Sequence, residues 1–321
     1  HFDILSLDVL KDSAPWQLAS SVDNALIDKL RLQKFTVKDI FHGIFQGIVS
    51  GDNKAFYLSD CRLDEQYITG YNSITETYIQ IEKSVCTPIL TGKTINRYSF
   101  MNKKEYIIYP YHSANGKTIF YTENEMKTNF PKCYEYFKSI KARLSKRGTA
   151  SMKYPIWYAL WNARSIHILS SKKILTPDIC FGTSMCFDSE GKYYYNDTSY
   201  GLILNDSNED RYYAYLAILN SKVTWYFLQQ TGTSLRGGYF RFKTKYLEPF
   251  PLPELNTEHI EMLTRLAKSM LTAQGQLNSA ISDSDKKFLQ QRVDILDKQI
   301  NTVVYGLYGL TADEVKGVEG E

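Results

Sequence analysis

Three prolines within Pro249-Phe250-Pro251-Leu252-Pro253 set the firmest limit on how this chain folds. Each removes a backbone donor and fixes φ near about −65°, so neither a helix nor a central strand runs through them. One kind of structure ends there and another begins. Upstream, residues 215–253 change character twice. Leu216, Leu219, Val223 and Phe227 recur at helical spacing, which predicts one buried helix. Thr231-Gly232-Thr233-Ser234 breaks it. Residues 236–245, RGGYFRFKTK, then alternate cations with rings behind a glycine pair, predicting a flexible loop that enters a strand with charge on one face and rings on the other.

The proline stop also divides the charge. From Glu254 onward there are 7 basic and 11 acidic residues, against 31 basic and 24 acidic before it, so the net charge of +3 conceals a basic body and an acidic tail. Two stretches of the body, 138–174 and 211–247, contain no acid at all. The first holds nine lysines and arginines with Tyr154, Trp157, Tyr158 and Trp161 interleaved; the second holds six. A charge run is usually a solvated face, but two such runs favour a polyanion partner. They are expected to meet as one concave wall wide enough for a double helix.

The elements read in order as an α+β chain. A helix is expected over 21–32, capped by Ser20 or Ser21, with Trp16 packed beneath it. Two apolar runs flank Ser50-Gly51-Asp52-Asn53-Lys54, which is hairpin composition with Asn53 and Lys54 at the tip. Pro131 opens a helix whose face is Tyr134, Phe137, Ile140 and Leu144. Short strands are expected at 173–177, 185–187, 193–195 and 201–204. The acidic tail shows two helical patterns, 257–276 and 284–305, which predict an antiparallel α-hairpin, and a last helix capped by Thr311. The expected units are a β-rich body with peripheral helices over 1–253 and a helical unit over 254–321.

Several function classes are disfavoured. No apolar run approaches the roughly 20 residues of a membrane span, and no charged-then-apolar leader opens the chain, so no membrane is expected. The five cysteines are scattered and lack a C-x-x-C pair, which points away from a disulfide framework or zinc site and fits a reducing cytoplasm. The five histidines lie far apart. Thr91-Gly92-Lys93 resembles a phosphate loop but lacks its first glycine. One catalytic alternative stays open: Pro177-Asp178 followed by Glu190-Gly191-Lys192 has the order of a Mg²⁺-dependent nuclease signature, although the same residues also compose a plain turn. A second alternative is a protein-interaction module built on the tyrosine-rich surface.

GIVSGDNKAF (47–56), TPILTGKTINRY (87–98), WYALW (157–161), KKILTPDI (172–179), LAILNSK (216–222), LRGGYFRFKTKYLEPFPLP (235–253) and VYGLYGLTADEV (304–315) occur in an order that resembles one family. That family is the TaqI-like C-terminal specificity domain of DNA adenine methyltransferases and single-chain type IIG restriction-modification enzymes. The resemblance implies a β-rich target-recognition domain followed by an α-hairpin, with double-stranded DNA as partner. It also implies a methyltransferase domain, in some enzymes with a nuclease domain, N-terminal to it in the same polypeptide. The S-adenosylmethionine site and the Asn-Pro-Pro-Tyr-type motif of the family belong to that domain and are not in this sequence, so no cofactor is expected on this chain. The chain begins at His1 without methionine, as a fragment would.

Given such a partner, forked side chains must read base edges while point charges hold phosphates. Arg236 and Arg241, beside Gly237-Gly238, are the first expected readers, followed by Arg147, Arg164 and Asn53. Lys54, Lys93, Lys146, Lys153, Lys243 and Lys245 are the expected phosphate contacts.

Overall fold

A computed structural model describes residues 21–101, 103–148 and 153–320. Trp16 and Ser20 lie outside the described residues. Buried side chains among the described residues gather into two hydrophobic cores. The strand Lys173–Pro177 lies between them: Ile174 belongs to the first core and Leu175 to the second. That strand and its neighbour Ser199–Leu204 are buried along their whole length, because both faces are covered and no polar alternation is needed.

The first core is built on an antiparallel four-stranded sheet in the order Cys186–Asp188, Lys173–Pro177, Ser199–Leu204, Phe41–Gln46. Against it pack the helices Ser21–Arg31, Glu209–Leu219 and Lys222–Thr231 and the long C-terminal pair Thr257–Ser279 and Asp283–Leu307. The second core lies under a six-stranded sheet in the order Tyr194–Tyr195, Cys86–Leu90, Tyr106–Ile108, Tyr57–Leu63, Tyr67–Asn72, Thr77–Glu82, backed by the helix Pro131–Ser139. The architecture is the expected α+β arrangement. The acidic helices share the first core with strands and helices from the basic body, so the proline stop marks a change of charge and not a gap in packing.

Two local expectations are corrected. The predicted single helix over 216–227 is two helices, broken at Asn220-Ser221. Asn220 gives its side-chain amide to Met185 O and takes Met185 N–H, both at 2.9 Å, so it pairs like a strand residue. Its carbonyl accepts Arg97, which also bridges to Asp297 at 2.5 Å. Ser221 then caps the next helix. The predicted hairpin at residues 50–54 is a crossover: Phe41–Gln46 belongs to the four-stranded sheet and Tyr57–Leu63 to the six-stranded one. Its backbone pairs with residues far along the chain, Val49 and Asn162 exchanging bonds at 3.0 and 2.8 Å. Local composition cannot reveal a partner more than a hundred residues away.

Candidate nucleic-acid interface

The two acid-free runs do not stay unpaired in space. In the first, Arg143 forks onto Asp52 with bonds of 2.6 and 3.1 Å, Lys172 meets Glu209 at 2.6 Å, and Lys173 is fully buried against Asp188 at 2.7 Å. Arg147 turns inward and donates to the carbonyls of Leu144, Ser50, Trp157 and Ala159 at 2.8–3.1 Å, with its plane over Phe56 and Tyr154. Burial lowers its pKa. Four of its five N–H groups are thereby used, so it fastens the crossover to the WYALW segment and offers no fork to a ligand. Lys146 and Lys153 remain exposed with no ion pair among the described residues.

Arg164 also points into the fold. Its Nε donates to Gly47 O at 2.9 Å and its Nη2 to Gln46 Oε1 at 3.0 Å, from a left-handed backbone at φ +62°. In the second run Arg241 pairs with Asp178 at 3.1 Å. The groove that forms on the six-stranded side is lined by residues outside both runs. Burial chiefly raises the phenol of Tyr200, on which the charges of Asp178, Arg164 and Arg241 also act. Beside them the half-buried Asp197 carboxyl is also raised, again first by burial, with Arg164 pulling the other way.

A further group of unpaired cations lies outside the two runs. A cavity of about 600 Å³ on the six-stranded side is walled by Phe100, Tyr106 and Tyr193 and rimmed by Arg62, Lys103, Lys104 and Lys192. An adjoining recess of about 290 Å³ shares Lys103 and Glu105 with it and adds Asn53, Lys54 and Lys93. None of these six cations has an acidic partner among the described residues, and all six are exposed. The cavity sits at a bulge in Tyr57–Leu63, where Asp60 and Lys104 both take left-handed backbone, φ +48° and +47°. Lys104 O accepts Cys61 N–H at 3.1 Å. Each such residue costs about 1–2 kcal/mol, and strain of that kind gathers at functional sites.

Direct bonds connect the groove to the glycine hairpin. Gly92 N–H, next to Lys93, donates to Thr198 Oγ1 at 2.8 Å, so the amide that a phosphate loop would offer is taken. Asp178 N–H donates to Thr198 O at 2.8 Å, and Asp178 O accepts Phe242 N–H at 2.7 Å. Strand Tyr239–Arg241 pairs with Ser234–Leu235 across the turn holding Arg236, Gly237 and Gly238. Both glycines are left-handed, at φ +84° and +77°. Arg236 is exposed and makes no hydrogen bond or ion pair among the described residues. Lys243 is half-buried without an acidic partner, and Lys245 lies over Tyr246 at 4.5 Å. The rings of Phe240 and Phe242 pack inward on Trp225, as the alternation predicts.

The nuclease signature does not assemble. Asp178 is held by Arg241, Lys192 N–H donates to Asp188 Oδ1 at 3.1 Å, and no three acid, histidine or cysteine side chains among the described residues are grouped to hold a metal. Nor is any described helix long and apolar enough to cross a membrane. Asn53 and Lys54, expected at a hairpin tip, instead stand at the groove's edge with Ser50 Oγ on Asn53 Oδ1 at 2.5 Å. Arg62, Lys103, Lys104 and Lys192 were not legible as ligand contacts, because the acids Asp60, Asp64, Glu105 and Glu190 punctuate them in sequence. Only the fold brings them together.

Fold and groove define a class: a mixed module of two cores that carries a cationic groove and an arginine-bearing glycine hairpin. A family model, the TaqI-like C-terminal specificity domain, matches residues 87–252. The chain belongs to that family. It is similar to the type II methyltransferase M.BstVI of Geobacillus stearothermophilus, 20% identical over 304 residues that cover 94% of this chain and 46% of that protein. It is also similar to the type II restriction enzyme and methyltransferase RM.Eco57I of Escherichia coli, 22% identical over 321 residues, 93% of this chain and 32% of that protein. M.PaeR7I of Pseudomonas aeruginosa is 23% identical over 245 residues, 76% of this chain and 38% of that protein. The chain thus spans about a third to a half of the curated relatives it matches. A solved structure of the type IIL restriction-modification enzyme MmeI in complex with DNA shares the fold, with a TM-score of 0.58, 12% identity and coverage of 87% of this chain and 34% of that one.

Proposed function

We propose that this chain reads a double-stranded DNA sequence as the specificity domain of a type II restriction-modification enzyme, and that an adenine-N6 methyltransferase domain of the same polypeptide performs the chemistry. In this reading S-adenosylmethionine, and any nuclease centre, belong to that other part, and the protein works in the cytoplasm. The observation that carries the proposal is the groove: six exposed cations without acidic partners among the described residues, gathered by the fold from positions as far apart as 54 and 192 and lined with rings. Arg62, Lys103, Lys104, Lys192, Lys93 and Lys54 hold phosphates, with Lys243 and Lys245 continuing the track and Lys146 and Lys153 as further candidates. Arg236, on its close-approaching turn, is the principal reader of a base edge, and Asn53 is the second. Arg241 must leave Asp178 to read; Arg147 and Arg164 position backbone.

Holding the duplex on both sides of the target offsets part of the few kcal/mol that extruding an adenine costs. Binding through six phosphate contacts falls roughly a thousandfold between 50 and 200 mM salt, as measured by fluorescence anisotropy on duplex DNA. Lys103→Ala/Lys104→Ala is expected to lower the slope of log K against log salt by about 2. An interface made of tyrosines and apolar groups for a protein partner would hardly respond to salt. A flat profile therefore rejects the DNA reading.

Readers and clamps separate in selection from randomised duplexes. Arg236→Ala is expected to relax preference at one base position by about 1–3 kcal/mol, whereas Lys243→Ala weakens all sequences alike and lowers the salt slope by about 1. Identical behaviour of the two variants would show that the hairpin contacts backbone only.

A further inference from the structure

We propose that the tip of the small three-stranded sheet is an aromatic wedge that opens one base step of the bound duplex, with Phe181 entering the stack. This rests on the DNA reading above. Strand Ile179–Cys180 pairs with Tyr239–Arg241, which pairs with Ser234–Leu235. At the end of this sheet Phe181 is 70% exposed, Tyr239 45% and Ile179 44%. Phe181 stands edge-on to Tyr239 at 5.8 Å and leans on Trp225 at 6.3 Å. Large rings are normally withdrawn from water, and here nothing in the described molecule covers them.

The tip is rigidly mounted. Cys180 and Phe242 are buried at its base, Trp225 meets Phe240 edge-on at 5.3 Å, and Arg241 ties the hairpin to Asp178. The turns around it are shaped for a close approach. Gly182 and Gly238 have φ of +88° and +77°, and a Cβ on Gly238 would lie 3.0 Å from the Phe181 ring. A side chain there would push the ring aside.

Charge selects the occupant. Arg236 lies on the turn next to the tip and Lys243 follows the strand at its base, while Asp178, the acid bonded into this sheet, is already neutralised by Arg241. An apolar point carried on a hairpin with cations at both ends suits a partner that is anionic outside and stacked with flat rings inside. Duplex DNA is that partner, and apolar side chains driven between base pairs unstack and kink it. The step opened should be a pyrimidine–purine step, which deforms most easily. The wedge thus adds sequence preference at a position that no hydrogen bond reads.

The test uses the full-length protein and duplexes it selects from a randomised pool, with 2-aminopurine scanned through the bound sequence and a dye at each end. Wild type should brighten 2-aminopurine at one step and shorten the end-to-end distance. Phe181→Ala should abolish both signals and weaken binding by about tenfold, the range for one ring–base stack, with the salt slope unchanged. Phe181→Trp should keep both signals. If Phe181→Ala retains them while wild type binds with a steep salt slope, the wedge is wrong and the DNA reading stands. If wild type fails to bind any duplex at 50 mM salt, both fall. Should Phe181→Ala loosen a protein contact and leave the DNA signals intact, the tip is a protein-docking surface and the wedge is overturned.

Discussion

Lys173→Met is expected to destabilise the protein by about 3–5 kcal/mol, the cost of leaving one buried charge without its partner. Lys173 has no exposed surface and Asp188 almost none. The ammonium donates to Leu169 O, Ser171 O and Asp188 Oδ2 at 2.8, 3.1 and 2.7 Å, so all three of its hydrogens are placed. Burial lowers its pKa and the Asp188 carboxylate opposes that shift. Asp188 in turn accepts the amides of Lys192 and Tyr193 at 3.1 and 3.0 Å. Methionine fills the volume of the lysine but leaves the carboxylate buried and unpaired. Adding Asp188→Asn removes the stranded charge and keeps an acceptor, so Lys173→Met/Asp188→Asn should be more stable than Lys173→Met alone and less stable than wild type. Urea unfolding of the three proteins gives the order. If the double variant is no better than the single one, the loss comes from packing and not from charge. The same pair shapes the turn that presents Lys192 to the groove, which links this stability term to the proposed phosphate track.

Much of the scaffold was legible in the sequence. The C-terminal helices bury Leu263, Leu266, Val293, Leu296 and Ile300 as their spacing predicts, and Thr311 caps the last helix with Glu314 in a reciprocal box. The motifs that carry the family resemblance act mainly as fasteners. Asn220 of LNSK locks two helices to Met185 and Arg97; Tyr308 of YGLT donates to Pro251 O at 2.7 Å; the WYALW backbone receives Arg147. Their order along the chain identifies the fold because each holds a joint between distant segments. Function was less legible for the same reason. Counting acids along a sequence finds runs, but neutralisation happens across space. Arg143, Lys172 and Lys173 find Asp52, Glu209 and Asp188 from other elements. Conversely, Lys103 and Lys192 sit among acids in sequence and become unpaired only when the sheet gathers them.

Gly47→Ala should be among the more damaging single methyl groups added to this chain, destabilising it by about 3 kcal/mol or more. A Cβ at that position would lie 2.2 Å from Tyr195 O and 2.3 Å from Asn196 O. Both obstacles are backbone atoms, which cannot swing away as a side chain does. The crossover is bonded there on both sides of the glycine: Gly47 N–H to Ser199 O at 3.1 Å and Ile48 N–H to Tyr195 O at 2.8 Å. Making room therefore breaks bonds of strand Phe41–Gln46's continuation with strand residues of both sheets. It also displaces Gly47 O, the acceptor of Arg164 Nε at 2.9 Å. Gly275→Ala supplies the contrast. It lies inside the helix Thr257–Ser279 with nothing within 4 Å of its added Cβ, so alanine there should stabilise by about 0.5–1 kcal/mol through helix propensity. Thermal unfolding measures both changes. At a temperature where Gly47→Ala remains folded, DNA binding should still fall, because Gly47 lies where the two cores join and its displacement would shift the groove against the glycine hairpin. Full binding by a folded Gly47→Ala protein would mean that the two surfaces act independently and that the joint carries stability alone.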